Sequence, residues 1–263
     1  MERTVWLILR SSLFTVGLML STVIYAPLTL LTFPLGYVKR YRFVSQWSRF
    51  NLWWLGVTCR LRHEVEGLEN IPDKPAVVLV KHQSAWETLA LQRLFVPQVW
   101  VIKRELLWIP FFGWGLAMLR PIAIDRRAAH RAVKQVVEQG RHRLASGCSI
   151  IIFPEGTRVA PGERKPYLPG GALLAKRSGY PIVPIAHNAG EFWPRHGFIK
   201  RPGIISLVIG PPIDAAGRDT AEVNRLAEQW IEGQVARLTT GCLEGHKERE
   251  RRAREQACSV ENT

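Results

Sequence analysis

Along the chain the spacing of hydrophobic positions changes character twice. Ser11 to Val38 is a run of 28 positions without a charged side chain, longer than the ~20 residues a helix needs to cross hydrocarbon. Pro27 and Pro34 fall inside it and would break or kink a helix, so a re-entrant or half-buried helical pair fits at least as well as one straight span. The following stretch, YRFVSQWSRFNLWWLGV, mixes Arg with Trp and Phe as an interfacial helix does. A signal peptide is the competing reading, but no small-residue cleavage site follows a short apolar core.

Beyond residue 60 short β-rich runs take over: AVVLV (76–80), VWVI (99–102), PIAI (121–124), SIIIF (149–153), PIVPIA (181–186) and IISLVIG (204–210). Helical spacing separates them. Ala129, Val133, Val136, Val137, Gly140 and Leu144 line one face of a surface helix, and Val223, Leu226, Trp230, Ile231 and Leu238 repeat the pattern behind a cap at Asp219 or Thr220. This alternation predicts an α/β fold, a largely parallel mixed sheet flanked by helices, behind an N-terminal membrane-embedded helical segment. The boundaries fall at 1–60 for the membrane-associated segment, 61–240 for the sheet domain and 241–263 for a charged, disordered tail. In such sheets ligands gather at the carboxyl ends of the strands.

Charge sharpens the picture. Lys plus Arg outnumber Asp plus Glu by 36 to 22, a formal charge of +14, which points to an anionic partner. Half of it lies in Met1–Arg62, where eight basic residues face the single acid Glu2. Basic residues beside a greasy segment favour a lipid surface over nucleic acid, whose binding patch would stand clear of that segment. The four cysteines, Cys59, Cys148, Cys242 and Cys258, have no metal-type spacing and read as reduced thiols facing the cytoplasm.

Two motifs carry candidate chemistry. In KHQSAWETL (81–89) His82 sits at the end of a strand and Glu87 five residues on. Ser84-Ala85-Trp86-Glu87 has the form of a capping box, in which the glutamate reaches back to the cap N–H. Alternatively Glu87 reaches His82 and fixes its tautomer, leaving the other nitrogen to take a proton from a hydroxyl. Within one helix the two side chains would stand roughly 140° apart, so the second reading requires His82 on the turn before the helix. In FPEGTR (153–158) Gly156 permits close backbone approach and Arg158 offers a planar fork suited to phosphate; alone, it reads equally as a surface turn.

Together and in this order, the two motifs, with VIKRELLWIPFFGWGL (101–116) and YPIVPIAHNAG (180–190), resemble the glycerolipid acyltransferase family, specifically the bacterial 1-acyl-sn-glycerol-3-phosphate acyltransferases, over about residues 60–215. The family's usual pair is His and Asp, so Glu87 is a one-methylene departure that bears on the geometry of the pair. The resemblance implies direct acyl transfer without an acyl-enzyme, with no metal and no cofactor beyond the acyl-CoA or acyl-acyl carrier protein co-substrate. It makes His82 the general base on the sn-2 hydroxyl of lysophosphatidate and Glu87 the acid that orients it. Arg158, Lys103 and Arg104 would hold the acceptor's phosphate, Glu155 and Gly156 with Phe153, Pro154 and Thr157 would shape that pocket, and Pro184 would line the acyl side. The implied partners are the phospholipid bilayer, lysophosphatidate and the acyl thioester, with no nucleic acid, at the cytoplasmic side of the cell inner membrane.

Some readings stay open. Another lysolipid, such as lyso-ornithine lipid, could be the acceptor. A serine hydrolase using Ser84 lacks any G-x-S-x-G elbow. LLWIPFFGWGL (106–116) is either plain core or an extension of the lipid-facing surface or acyl tunnel. Arg126 is a candidate second phosphate contact, His187 reads as a satisfied structural histidine, and His130 and His142 as solvated.

Overall fold

A computed structural model describes residues 2–239; the tail assigned to 241–263, with Cys242 and Cys258, lies outside the described residues. Seven strands form one sheet in the order β1-β7-β6-β2-β5-β3-β4. They are β1 (Leu61–Glu66), β2 (Val77–Val80), β3 (Gln98–Lys103), β4 (Ile122–Ile124), β5 (Ser149–Ile152), β6 (Ile182–His187) and β7 (Gly203–Ile209). Every pairing is parallel except β6 with β7. Six strands coincide with the apolar runs of the sequence. The seventh, β1, did not stand out, because LRHEVE is an edge strand that buries only Leu61 completely and pairs with β7 alone.

Alternation along the strands divides the core in two. Val78, Val80, Trp100, Ile102 and Ile151 face a layer containing α1 (Glu2–Leu30), α3 (Gln46–Cys59) and α4 (Trp86–Ala90). Val77, Leu79, Val99, Val101, Ile150 and Ile152 face α6 (Ala129–Ala145), α7 (Gly170–Ser178) and a last helix, α9, over 220–239. The short helices α2 (Tyr37–Val44), α5 (Phe112–Met118) and α8 (Ala189–Phe192) complete the set. Asp219 Oδ1 caps α9 by accepting the Glu222 N–H at 2.6 Å. Fully buried aliphatic side chains such as Leu79, Ile150 and Leu174 each contribute roughly 1.5–3 kcal/mol.

The N-terminal helix runs through Pro27 and ends at Leu30, so the proline sits within a turn of the helix end and the reversal comes at 31–36. After α2, α3 returns antiparallel to α1. Cys59 Sγ lies 3.6 Å from the Arg10 carbonyl, the Trp54 indole donates to Leu13 O at 3.3 Å, and Asn51 meets Ser21. Close approach depends on Gly17, where a Cβ would fall 2.1 Å from Trp54 Nε1. The outer face of the pair exposes Trp6, Leu9, Leu13, Met19, Leu20, Ile24 and Leu31. Over Thr4–Leu30 the mean hydropathy reaches 1.8 and only 11% of the window is buried. An apolar surface of that extent marks membrane association. The pair is not a detached anchor, since Phe14, Leu55 and Cys59 belong to the core under the sheet. Cys59 and Cys148 are buried free thiols.

Candidate active site

Strands β2 and β5 are neighbours at the centre of the sheet, which brings together the residues that follow them. Lys81 and His82 come directly after β2 and point to opposite faces, Lys81 toward α9 and His82 toward α4. His82 Nδ1 lies 2.7 Å from Glu87 Oε1. The five-residue spacing works because the chain turns over 81–85 before α4 begins at Trp86. The same carboxylate accepts the N–H groups of Gln83 at 3.1 Å and Ser84 at 2.9 Å. Capping and imidazole contact are therefore not alternatives; one carboxylate does both. The cap position is Ala85 rather than Ser84, because the Ser84 hydroxyl accepts the Trp86 N–H at 3.1 Å and closes the turn one step earlier. Ser84 is fully buried in that duty, which removes it as a nucleophile.

Glu87 has no solvent exposure. Burial pushes its carboxyl up, yet the His82 hydrogen bond, the nearby rings of His187 and His82 and the Ser84 N–H outweigh it and hold the group below the ordinary carboxylate range. His187, also fully buried, accepts the Ala189 N–H at Nδ1 (3.2 Å) and donates from Nε2 to the Lys81 carbonyl (2.8 Å). Burial lowers its pKa, so it stays neutral and steadies the turn from behind, 4.0 Å from Glu87 Oε2. With Nδ1 of His82 engaged, Nε2 is the nitrogen left for a substrate.

The loop after β5 clamps His82 on three sides. The Phe153 ring stacks on the imidazole at 3.8 Å and 12°. Glu155 Oε2 accepts the His82 N–H at 3.2 Å, and the Val159 N–H donates to the His82 carbonyl at 2.7 Å. Gly156 adopts φ +68° to make this turn, a conformation glycine takes without strain.

A cavity of ≈ 310 Å³ opens beside His82, at the small end of the ~300–1,000 Å³ usual for ligand sites. Its walls come from α1, α3, α5, β3 and the stretch 104–108, with Ala26, Trp47, Leu106, Phe112 and Leu116 supplying apolar surface. At the strand ends it is cationic, lined by Lys103, Arg126 and Arg158 besides His82. Arg158 Nε is buried without a hydrogen-bond partner. Arg126 donates to the Gly156 carbonyl, which ties β4 to the β5 loop. An apolar slot with a cationic mouth suits an amphiphilic ligand that carries an anionic group.

Of the residues singled out for substrate binding, Lys103, Phe153 and Arg158 line this cavity. Arg104, Pro154, Glu155, Gly156, Thr157 and Pro184 do not. Arg104 pairs with Asp125 at 3.1 Å and lies over the Trp108 ring. Glu155 turns inward, 3.1 Å from Lys81 Nζ, and burial pushes its carboxyl up to about 7. Pro184 is internal to β6, opposite Leu79 of β2, so it packs the sheet and not an acyl chain. The 106–116 stretch is neither wholly core nor wholly outside: Leu106, Phe112 and Leu116 face the cavity, while Trp108, Ile109 and Trp114 are exposed. His130 and His142 lie exposed on α6. The α1 contribution of Thr22, Tyr25 and Thr29 was not foreseen, although three hydroxyls at helical spacing in an apolar run were a legible signal.

Comparison with known proteins identifies the family. The family model described as Acyltransferase matches residues 62–188. A 1-acyl-sn-glycerol-3-phosphate acyltransferase of Pseudomonas aeruginosa is 47% identical over 236 residues, covering 88% of this chain and 92% of that one. The human 1-acyl-sn-glycerol-3-phosphate acyltransferase alpha is 30% identical over 64% of this chain and 61% of its own length. The crystal structure of the 1-acyl-sn-glycerophosphate acyltransferase of Thermotoga maritima shares the fold, with a TM-score of 0.76 at 23% identity over 90% of this chain and 98% of that one. The chain is an acyltransferase and belongs to the 1-acyl-sn-glycerol-3-phosphate acyltransferase family.

Proposed function

We propose that the protein transfers a fatty acyl group from acyl-CoA or acyl-acyl carrier protein to the sn-2 hydroxyl of 1-acyl-sn-glycerol-3-phosphate, giving phosphatidate. One observation carries the reading: a His82–Glu87 pair at 2.7 Å stands at the cationic end of a cavity whose remaining walls are apolar. His82 Nε2 takes the hydroxyl proton as the oxygen attacks the thioester carbonyl. The new ester bond forms, the C–S bond breaks, and the proton passes from the imidazolium to the departing thiolate. Glu87, ionised and buried, orients the ring and stabilises the imidazolium, and a base so placed contributes roughly 10²–10⁴ in rate.

Arg158, whose Nε lacks a partner, binds the acceptor's phosphate with Lys103 and Arg126. The apolar walls receive an acyl chain, and the three hydroxyls of α1 lie along its path. Because α1 and α3 build those walls and also carry the lipid-facing surface, the acceptor reaches His82 from the bilayer without crossing water. The basic amino-terminal segment suits the anionic cytoplasmic leaflet of the cell inner membrane.

The test is a purified protein in phospholipid nanodiscs, given lysophosphatidate with acyl-CoA or acyl-acyl carrier protein and scored for phosphatidate by mass spectrometry. Lyso-ornithine lipid and lysophosphatidylcholine serve as competing acceptors. Turnover of lysophosphatidate that His82→Ala abolishes, with membrane association intact, supports the reading; preference for an acceptor without a phosphomonoester overturns the head-group assignment.

A further inference from the structure

On the face of the sheet opposite the cavity lies a buried polar cluster that the reaction at His82 does not touch. Lys81, fully buried, sends Nζ to Glu232 Oε1 of α9 at 2.7 Å. The same ammonium is ion-paired with Glu155 Oε1 at 3.1 Å. The Tyr167 hydroxyl donates to Glu232 Oε1 at 2.9 Å, and Asn224 of the same helix donates to the Tyr167 carbonyl at 3.0 Å. Arg164, largely exposed, stands 3.8 Å from Glu232 Oε2. The other oxygen of Glu155 holds the His82 N–H.

We propose that Glu232 is a positioning residue for the acyl transfer, acting on His82 through Lys81 and Glu155. The inference rests on His82 being the base. Lys81 bridges two carboxylates: Glu232, steadied by Tyr167, anchors the ammonium at 2.7 Å, and the ammonium holds Glu155 at 3.1 Å while the second oxygen of Glu155 accepts the His82 N–H. Without the Glu232 charge Lys81 loses its anchor, and Glu155 shifts with it. The β5 loop that Glu155 belongs to also stacks Phe153 on the imidazole and bonds the His82 carbonyl through Val159, so the ring moves with it. Burial pushes the Glu155 carboxyl up to about 7, which makes its charge, and hence its grip on the N–H, sensitive to where the Lys81 ammonium stands.

Stability alone is a poor reason for such a cluster. A buried ion pair exchanged for apolar groups of similar volume is commonly neutral or stabilising. Glu232 also lies beyond the 62–188 segment that matches the family model, on a helix that contributes no residue to the cavity.

The experiment compares Glu232→Gln, Glu232→Asp and the double variant Lys81→Met/Glu232→Leu with the wild type in nanodiscs, all rates normalised to folded protein. A displacement of about 1 Å at a catalytic group costs up to about a hundredfold, so Glu232→Gln should lower kcat about tenfold or more with KM for both substrates unchanged. Glu232→Asp, which keeps the charge, should recover part of the loss. The double variant leaves Glu155 buried without its cation, so it should melt below the wild type and, per folded molecule, turn over about tenfold more slowly. A double variant with wild-type kcat, or a Glu232→Gln deficit that vanishes on normalisation, overturns the proposal. His82→Ala is assayed alongside: activity there refutes the base itself, whereas an inactive His82→Ala beside a fully active double variant refutes only the role of Glu232.

Discussion

Replacing Glu87 by Gln changes one atom and isolates the charge from the shape. The amide oxygen takes the Oε1 position, because that site accepts from His82 Nδ1, the Gln83 N–H and the Ser84 N–H at once. The new NH₂ then faces the Ser84 N–H, which lies 3.1 Å from Oε2, and His187 Nε2–H at 4.0 Å. That donor-to-donor contact costs about 1–3 kcal/mol, but removing a fully buried charge recovers desolvation, so the two effects on stability offset. The catalytic effect has no such offset. The charge-assisted hydrogen bond between Glu87 and the imidazolium is worth about 1.5–3 kcal/mol, and no water reaches Glu87 to substitute. The variant should fold, melt within a few degrees of the wild type and form phosphatidate about 10–10²-fold more slowly at unchanged KM. Glu87→Asp, which keeps the charge but retreats by a methylene, should fall between the two. A folded Glu87→Gln protein with kcat within about threefold of wild type would refute the claim that the carboxylate stabilises an imidazolium.

Three further outcomes follow from the geometry. Arg158→Ala should raise KM for lysophosphatidate about 10–100-fold, as expected for a lost charge-assisted phosphate contact of about 1.5–3 kcal/mol, with kcat little changed; an unmoved KM removes Arg158 from phosphate binding. Gly17→Ala forces a Cβ to 2.1 Å from Trp54 Nε1 and should destabilise the α1–α3 contact by about 1–3 kcal/mol, read as a lower melting temperature in detergent; an unchanged melt refutes the tight approach. Glu155 has a folded pKa raised to about 7, so its contribution to stability is complete below the ordinary carboxyl range and is lost as pH rises through 7. The wild type should therefore lose stability as pH rises from about 4.5 to about 7 relative to Glu155→Gln, and parallel curves for the two proteins would contradict the assignment.

The elements that could be read from the chain are those whose burial is decided locally. SIII and VVLV are buried at every position, and a run of β-branched residues between turns has few other uses. Strand β1 escaped because its partner lies 142 residues away and most of its side chains stay in solvent. Pro27 signalled an interruption, yet a helix tolerates proline where the reversal follows within a turn. The His82–Glu87 pair was legible as two rival explanations, and only the turn geometry shows that they coexist. Glu155 was misplaced for a physical reason: motif order puts it beside Arg158, but the turn at Gly156 sends neighbouring side chains to opposite faces of the sheet. Lys81 drew no reading from the sequence, because its partner Glu232 comes from α9, 151 residues away.

The same distances explain why the amino-terminal helices and the sheet domain function as one body. Lys200 donates its N–H to Ser11 Oγ at 2.9 Å, and its ammonium lies 5.0–5.4 Å from the ring centres of Phe14, Trp193 and Phe198. A cation enclosed by aromatic faces away from water is held by about 2 kcal/mol or more, so α1 is fastened to the loop between α8 and β7 as well as to α3. Thr22, Tyr25 and Thr29, farther along the same helix, line the cavity together with Trp100 and Lys103. A helix hinged freely in a bilayer could not hold one wall of a slot this narrow, and a sheet domain without the helix would have no such wall. The segment that brings the protein to lipid is thus a structural part of the site that handles it.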